Sequence, residues 1–335
     1  EDLAKRARAL GKPIVALKAG KSEQAQAAAI SHTASLAGSD AGARALLKRL
    51  GIAQVESLPV LLETLKLLHL VGPLASNKIV SMSCSGGEAS LMADSAIGRD
   101  IVFPPLSEVQ LTGLRAALGP MVALANPLDY HTFIWDDTAA MAQTFGAILQ
   151  GDVAMGCVVV DFPREDRCST KAWDCVITAS AATAKQTGKF VALVATLPET
   201  IPEDTALKII DAGLVPMLGL NETLTAIEVA GGYRQADPNP VPVLLPGKGA
   251  GQAHVMNEHE AKAALAAHGL SVPKAEAALR VEEAAQLAND IGFPVVLKGT
   301  GAAHKTEAGL VKLGLSDSAA VQAAANAMVC DGYLV

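Results

Sequence analysis

The sequence predicts a multidomain protein of the α/β class, and three observations support that prediction. Short apolar runs alternate with stretches of helical periodicity along most of the chain, which is typical of parallel sheets wrapped by helices. Aromatic residues make up only 3% of the sequence, and a chain rich in Ala, Val, Leu and Gly suits buried parallel strands better than β-sandwiches. At 335 residues, 50% of them hydrophobic, the chain is long enough to bury about two or three cores.

Residues 1–73 are predicted to form the C-terminal part of a first α/β domain. A helix is expected at residues 2–10 and a short buried strand at residues 13–17. Helical apolar spacing returns at residues 40–50 and again at residues 58–70. These are the elements that end an α/β unit.

Residues 74–234 are predicted to form a second, complete α/β domain. Its strands are expected at residues 79–83, 157–160 and 190–194, and its helices at residues 88–97, 137–149, 171–184 and 222–231. Because strands and helices alternate, the sheet is predicted to be parallel.

Residues 235–252 are predicted to be a linker, since four prolines and several glycines lie there. Residues 253–335 then show an α+β pattern, which predicts a third domain. Its helices are expected at residues 258–268, 281–291 and 318–328, and its strands at residues 271–273, 294–298, 310–315 and 333–335.

Composition excludes several classes of function. The formal charge is −7 and no run of Lys or Arg occurs, so neither nucleic acid nor a membrane surface is an expected partner. No apolar stretch is long enough to span a bilayer. The five cysteines are scattered without a C-x-x-C pair, which indicates neither zinc nor disulfides and fits the cytoplasm.

A histidine among small polar residues is the first candidate for chemistry. His32 lies in residues 31–38, S-H-T-A-S-L-A-G, just before a predicted helix with Ser39 and Asp40 as N-cap candidates. An imidazole nitrogen can accept a phosphoryl group, and unpaired amides at a helix start can hold the resulting anion. The alternative is a turn histidine hydrogen-bonded to the backbone.

A glycine-rich turn is the second candidate. Ser85, Gly86 and Gly87 follow a predicted strand and open a predicted helix, where backbone amides can cradle a phosphate or carboxylate. Asn126 and Asp129 flank a proline-rigidified turn. On local features alone, a structural turn is the better explanation of each segment.

A lysine at the end of a strand is the third candidate. Lys298 ends a predicted strand, and a glycine-rich loop that contains His304 follows it. A point cation and exposed amides both neutralise a polyphosphate, so the pattern favours a nucleotide site. The alternative for His304 is a hydrogen bond within its own loop.

Residues 11–40, with the His32 motif, resemble the ADP-forming (NDP-forming) acyl-CoA synthetases, a family related to succinyl-CoA synthetase. In that family the histidine of S-H-T-G-S-L-A-G is phosphorylated, and His32 occupies its position, with Ala34 at the usual glycine. The resemblance covers nearly the entire chain. It implies two flavodoxin-like or Rossmann-like ligase domains, then the start of an ATP-grasp domain.

The resemblance also implies roles for the other candidates. Ser85, Gly86 and Gly87 resemble the glycine-rich helix start that faces the phosphohistidine, and Asn126 and Asp129 resemble the N-P-x-D segment near that site.

In the third domain, Lys298 resembles the ATP-grasp lysine that contacts ATP. His304 matches a second phosphoryl relay of some family members, in a run of the form H-K-[ST]-[DE]-x-G.

The implied activity is that of an acid–thiol ligase, which converts an organic acid, CoA and ATP to acyl-CoA, ADP and phosphate through acyl-phosphate and phosphohistidine intermediates. Mg²⁺ would accompany the nucleotide, and no residue is assigned as a metal ligand. We expect a homo-oligomer and a chain that is part of a longer protein. The alternative is a ligase-like regulatory region fused to a protein acetyltransferase.

Overall fold

The computed structural model describes residues 1–25, 27, 39–233, 256–301 and 309–335. The chain divides into two compact units, Glu1–Pro242 and Val243–Val335. The division falls inside the predicted linker, whereas the predicted boundary at residue 73 lies within the first unit. The domain limits given by the sequence stay predictions.

The first unit begins with a small α/β segment. Its elements are α1 (Asp2–Ala9), β1 (Val15–Leu17), α2 (Asp40–Arg49), β2 (Ala53–Val55) and α3 (Leu58–Leu70). The two strands pair in parallel, with Val15 opposite Ala53. Ser39 caps α2 by accepting a hydrogen bond from the amide of Gly42, as expected for an N-cap serine.

A five-stranded sheet forms the larger part of the first unit. Its strands are β3 (Ile79–Ser83), β4 (Leu128–Asp129), β5 (Met155–Val159), β6 (Phe190–Ala195) and β7 (Val215–Leu218). All neighbouring pairs are parallel, in the order β4-β3-β5-β6-β7. Counted from β3, this is the flavodoxin-like order 2-1-3-4-5.

Helices cover both faces of this sheet. They are α4 (Gly86–Ser95), α5 (Glu108–Leu118), α6 (Thr138–Ile148), α7 (Asp174–Thr187), α8 (Glu203–Asp211) and α9 (Leu220–Gly232). Successive strand residues point to opposite faces, so Val80 and Met82 of β3 enter one core while Ile79 enters the other. Both faces of β3 are therefore buried.

Helix α3 is tied to the five-stranded sheet. It packs along α9, and the carboxylate of Glu63 accepts a hydrogen bond of 2.8 Å from the amide of Leu218 in β7. Glu63 also pairs with Lys66 at 2.8 Å, so its buried charge is satisfied. The opening segment and the larger sheet thus share one unit.

The second unit is built on an antiparallel sheet. Its elements are α10 (Glu258–Ala267), β8 (Ala277–Ala278), α11 (Val281–Ile291), β9 (Val295–Thr300), β10 (Val311–Leu315), α12 (Ser318–Asn326) and β11 (Gly332–Leu334). The strand order is β10-β9-β11-β8. Helices α11 and α12 pack against each other and contribute to a core with Leu297.

The strand predicted at residues 271–273 is wrong. These residues form no ladder, and the short strand lies later, at Ala277–Ala278, where Ala278 is paired with Tyr333. Pro273 has no amide hydrogen to donate to a ladder. None of the described helices is long and apolar enough to cross a lipid bilayer.

Candidate functional site

Polar side chains gather at the carboxyl edge of the five-stranded sheet. Strands β3, β4 and β5 all end there, and Ser83 of β3 lies opposite Asp129 of β4. The chain leaves β3 for β4 on one side and returns to β5 on the other. The crevice between β3 and β5 is therefore a topological switch point, where ligands of open α/β sheets bind.

The N-terminus of α4 opens at this edge. The first three amides of an α-helix have no partner within the helix, and Ser85 at the N-cap makes no side-chain capping bond. Gly86 and Gly87 are exposed. In the described part of the chain no acceptor is recorded for the amides of residues 86–88, so they are suited to an anion.

Asp129 lies directly beside this helix start. A Cβ atom added to Gly86 would meet Oδ2 of Asp129 at 3.1 Å. Oδ1 accepts a hydrogen bond of 2.9 Å from the amide of His131, whose own backbone has a positive φ of 61°. The imidazole Nε2 of His131 lies 3.8 Å from Oδ2.

Asn126 serves the backbone. Its amide nitrogen donates to the carbonyls of Ile79 at 3.0 Å and Pro104 at 3.2 Å, and its oxygen accepts from the amide of Ser81 at 3.1 Å. These bonds join the turn before β4 to β3. The geometry favours a structural role for Asn126, while its predicted contact with an anion stays untested.

Glu88, on the first turn of α4, is the most perturbed carboxyl group of the site. Burial raises the pKa of Glu88 from 4.5 to about 7, and the carboxylates of Asp161 and Asp129 add to the shift. Its Oε2 atom is buried and has no hydrogen-bond partner among the described residues. Burial, together with Glu88 and Asp129, also raises the pKa of the Cys84 thiol.

Asp161 follows β5 and completes the acidic cluster. It accepts hydrogen bonds from the amide and hydroxyl of Thr196 and from the hydroxyl of Thr200. These bonds hold Asp161 at the sheet edge, while residues 164–169 beyond it are exposed.

The second unit contains the predicted nucleotide lysine. Lys298 lies in β9, and its Nζ is 2.6 Å from Oε1 of Glu258. The same oxygen lies 3.3 Å from Lys262. One carboxylate thus bridges two ammonium groups, leaving net positive charge at this face of the sheet.

Lys298 also lines a cavity of about 400 Å³. Lys262 and Lys274 are two further lysines in the lining, and the walls are largely apolar, with Pro273 and Val296 among them. A cavity with apolar walls and a few converging charges is the usual form of a small-molecule site.

Both predicted phosphoryl carriers, His32 and His304, lie outside the described residues. Within the described residues no group of three or more His, Cys, Asp or Glu side chains is arranged to hold a metal ion.

Comparisons with known proteins match one segment in each of the two compact units. Residues 2–68 match the model of a succinyl-CoA ligase like flavodoxin domain, and residues 249–331 match an ATP-grasp domain. Among curated relatives, a trans-feruloyl-CoA synthase from an unknown prokaryotic organism is 29% identical over 321 residues, which cover 93% of this chain and 45% of the relative.

An ADP-forming 4-hydroxybutyrate–CoA ligase of Nitrosopumilus maritimus is 26% identical over 346 residues, covering 96% of this chain and 47% of that protein. The chain is thus similar to CoA-ligating enzymes, among them ADP-forming acid–CoA ligases, along nearly its whole length. It spans about half the length of these two curated relatives.

Solved structures with a similar fold agree with the architecture described above. A dinucleotide forming acetyl-coenzyme A synthetase of Ca. Korarchaeum cryptofilum, in complex with phosphate and ADP, superposes with a TM-score of 0.58 at 21% identity, covering 70% of this chain and 49% of that one. The predicted fold class, parallel α/β ligase domains followed by an ATP-grasp region, is confirmed.

Three residues near this site were not among the candidates chosen from the sequence: Glu88, Asp161 and Tyr130. Tyr130 is fully buried, and its hydroxyl has no hydrogen-bond partner among the described residues. Glu88 was visible only as the residue after the two glycines, and Asp161 as a carboxylate that follows an apolar strand. The second signal is general, because residues just after parallel strands meet at one edge. Tyr130 gave no signal beyond its place next to Asp129.

Proposed function

We propose that the chain is the central part of an acid–CoA ligase that forms acyl-CoA, ADP and phosphate from an organic acid, CoA and ATP. A phosphoryl group would pass from ATP to His304 as ADP leaves, then to a ring nitrogen of His32, and then to a carboxylate oxygen of the acid. Attack of the CoA sulfur on the carbonyl carbon of this acyl phosphate would then release phosphate and form the thioester.

One observation carries the proposal. The N-terminus of α4, with no side-chain cap, opens at the switch point of a flavodoxin-like sheet, in a chain whose flanking regions match the ligase and ATP-grasp models in the expected order. The amides of Gly86 and Gly87, next to Ser85 at the N-cap, would hold the phosphoryl oxygens of phosphorylated His32.

Asp129 would serve this site differently from the amides. A carboxylate repels a phosphoryl group but accepts a hydrogen bond from an imidazole N–H. With Oδ2 beside Gly86, Asp129 is suited to orient the ring of the phosphohistidine.

In the second unit, Lys298 would contact the phosphates of ATP, and the apolar cavity walls would cover its base. Three lysines, Lys262, Lys274 and Lys298, line this cavity, and two of them share the single carboxylate of Glu258, which supports the assignment. Mg²⁺ would arrive with the nucleotide phosphates. His304, which follows β9 in the sequence, would relay the phosphoryl group to His32.

The substrate acid belongs to the carboxylic acids, and CoA is the second substrate. The similar proteins include a trans-feruloyl-CoA synthase, a 4-hydroxybutyrate–CoA ligase and an acetate–CoA ligase. A screen of ADP release across aromatic, hydroxylated and short aliphatic acids would identify the class that this protein uses.

Phosphorylation of His32 is the deciding experiment. The whole protein that contains this chain is incubated with γ-labelled ATP, and we expect a label that is lost in acid and stable in base. In His32→Ala the label should be lost from residue 32, and any label that remains should map to His304. It should persist on residue 32 in His69→Ala, which alters an exposed histidine on α3.

Two outcomes would contradict this assignment. A label in His32→Ala that maps to a residue other than His304 would place the phosphoryl group elsewhere. Complete absence of label and of ADP release, in a protein that still binds its ligands, would favour the regulatory region fused to an acetyltransferase.

A further inference from the structure

Glu88 is a polar group without a partner at the edge of the proposed anion site. It occupies the first turn of α4, next to the free amides, and its buried Oε2 atom has no hydrogen-bond partner among the described residues. An ionised carboxylate in that position is doubly unfavourable, because it is desolvated and lies where an anion is expected.

The groups around Glu88 are themselves acids. Asp129 and Asp161 face it from the ends of β4 and β5, and Cys84 lies at the end of β3. The imidazole Nε2 of His131 lies 3.8 Å from Oδ2 of Asp129. No positive side chain among the described residues is recorded as acting on Glu88.

Tyr130 is a second, independent observation at the same place. It is fully buried, with 0% of its surface exposed, and its hydroxyl has no hydrogen-bond partner among the described residues. The hydroxyl interacts electrostatically with Cys84, Glu88, Cys175 and Asp129, three of which belong to the cluster. Two buried polar groups without partners at one location indicate a ligand that supplies them.

Glu88 and Asp161 differ in their hydrogen-bond partners. The two oxygens of Asp161 accept three hydrogen bonds from Thr196 and Thr200, whereas Oε2 of Glu88 has no donor among the described residues. Protonation of Glu88 would relieve the repulsion that its ionised form meets.

We propose that Glu88 binds the oxyanion at the N-terminus of α4 in its neutral form, donating a hydrogen bond from its protonated carboxyl group. Anion binding is then coupled to uptake of one proton whenever Glu88 is ionised beforehand. The inference rests on the proposed function, since it assumes that the α4 amides hold an anion. It adds a binding residue to that site and makes the site sensitive to pH.

Sulfate is the appropriate probe because its charge does not change between pH 5.5 and 8.5, whereas phosphate titrates in that range. We expect the dissociation constant for sulfate to be constant in acid and to rise about tenfold per pH unit above pH 7, as one linked proton requires. The amide NMR signals of Gly86 and Gly87 report whether sulfate binds at α4.

Glu88→Gln should bind sulfate with an affinity that does not vary with pH. The matched control is Glu108→Gln, which alters an exposed glutamate on the first turn of α5 and should behave like the unaltered chain. Calorimetry of the unaltered chain in buffers of different ionisation enthalpy gives the result independently. It should record uptake of about one proton per sulfate at pH 8 and none at pH 5.5.

The outcomes separate this inference from the proposed function. Sulfate binding at Gly86 and Gly87 that is independent of pH, or a pH dependence that survives in Glu88→Gln, would overturn the role of Glu88 and leave the amide site intact. No sulfate binding at α4 at any pH would overturn the amide site itself.

Discussion

Glu88 occupies a partly buried position between two aspartates, and this position links the stability of the first unit to pH. Burial raises the pKa of Glu88 to about 7, and Asp161 and Asp129 contribute. The folded chain therefore holds this proton more tightly than the unfolded chain does. The contribution of Glu88 to the free energy of unfolding should be fully present below pH 4.5 and should be lost as the pH rises through 7.

Glu88→Gln removes this titration. At pH 8 the variant's first unit should be more stable than the unaltered one by ~1–2 kcal/mol, a value reduced for partial solvent screening, and near pH 4.5 the two should be equal. Urea unfolding followed by tryptophan fluorescence measures this, since Trp135 and Trp173 both lie in the first unit. A constant difference at both pH values would contradict the assignment.

At the scale of elements, the C-terminal end of α9 lies very close to the chain that enters β3. A Cβ atom on Gly231 would lie 3.0 Å from the carbonyl oxygen of Ser76 and 3.1 Å from the amide nitrogen of Asn77. These are backbone atoms, so the contact cannot be relieved by a rotamer change. Gly231 is a packing requirement of this helix.

Gly231→Ala should destabilise the first unit by ~1–3 kcal/mol through overpacking. Gly232→Ala is the matched control, because a Cβ there has nothing within 4 Å, and higher helix propensity should make it neutral or stabilising by up to ~1 kcal/mol. Both are measured as shifts in the urea midpoint of tryptophan fluorescence. Equal destabilisation by the two variants would argue against the close approach.

Long periodic segments were predicted well because their signal is local. The bounds of α3 and α11 agree with the sequence prediction, since apolar spacing, caps and flanking glycines all act within a few residues. The two-residue strand β4 and the three-residue strand β2 were not predicted. Strands of that length carry no measurable alternation, and their neighbours alone determine them.

The candidate site was predicted only where a motif carried it. Gly86 and Gly87 were found from the strand-turn-helix pattern, and α4 begins at Gly86, two residues before the predicted start. The electrostatic interaction between Glu88 and Asp161 depends on β5 lying next to β3. That adjacency is a property of strand order, which no local sequence pattern contains.

At the scale of the whole molecule, the two units carry different parts of the proposed reaction. The anion site belongs to Glu1–Pro242, and the lysine-lined cavity belongs to Val243–Val335. Changes in one unit should therefore leave the stability of the other nearly unaltered, as expected for separate cores.

Lys298→Ala tests this separation. It should weaken ADP binding roughly tenfold or more through loss of one charge-assisted phosphate contact, without moving the tryptophan unfolding midpoint of the first unit. Calorimetric titration with ADP and Mg²⁺ gives the first result and urea unfolding the second. Lys312→Ala, at an exposed lysine of β10 outside the cavity lining, should change neither.

The acidic residues around the start of α4 come from the ends of three different strands. This arrangement bears on how the proposed ligase could acquire new substrates. Glu88 follows β3, Asp129 is the last residue of β4 and Asp161 follows β5. The exposed residues 164–169 lead away from Asp161 without entering the core. A library that varies this loop in sequence and length should alter acid preference while the anion-binding residues stay fixed.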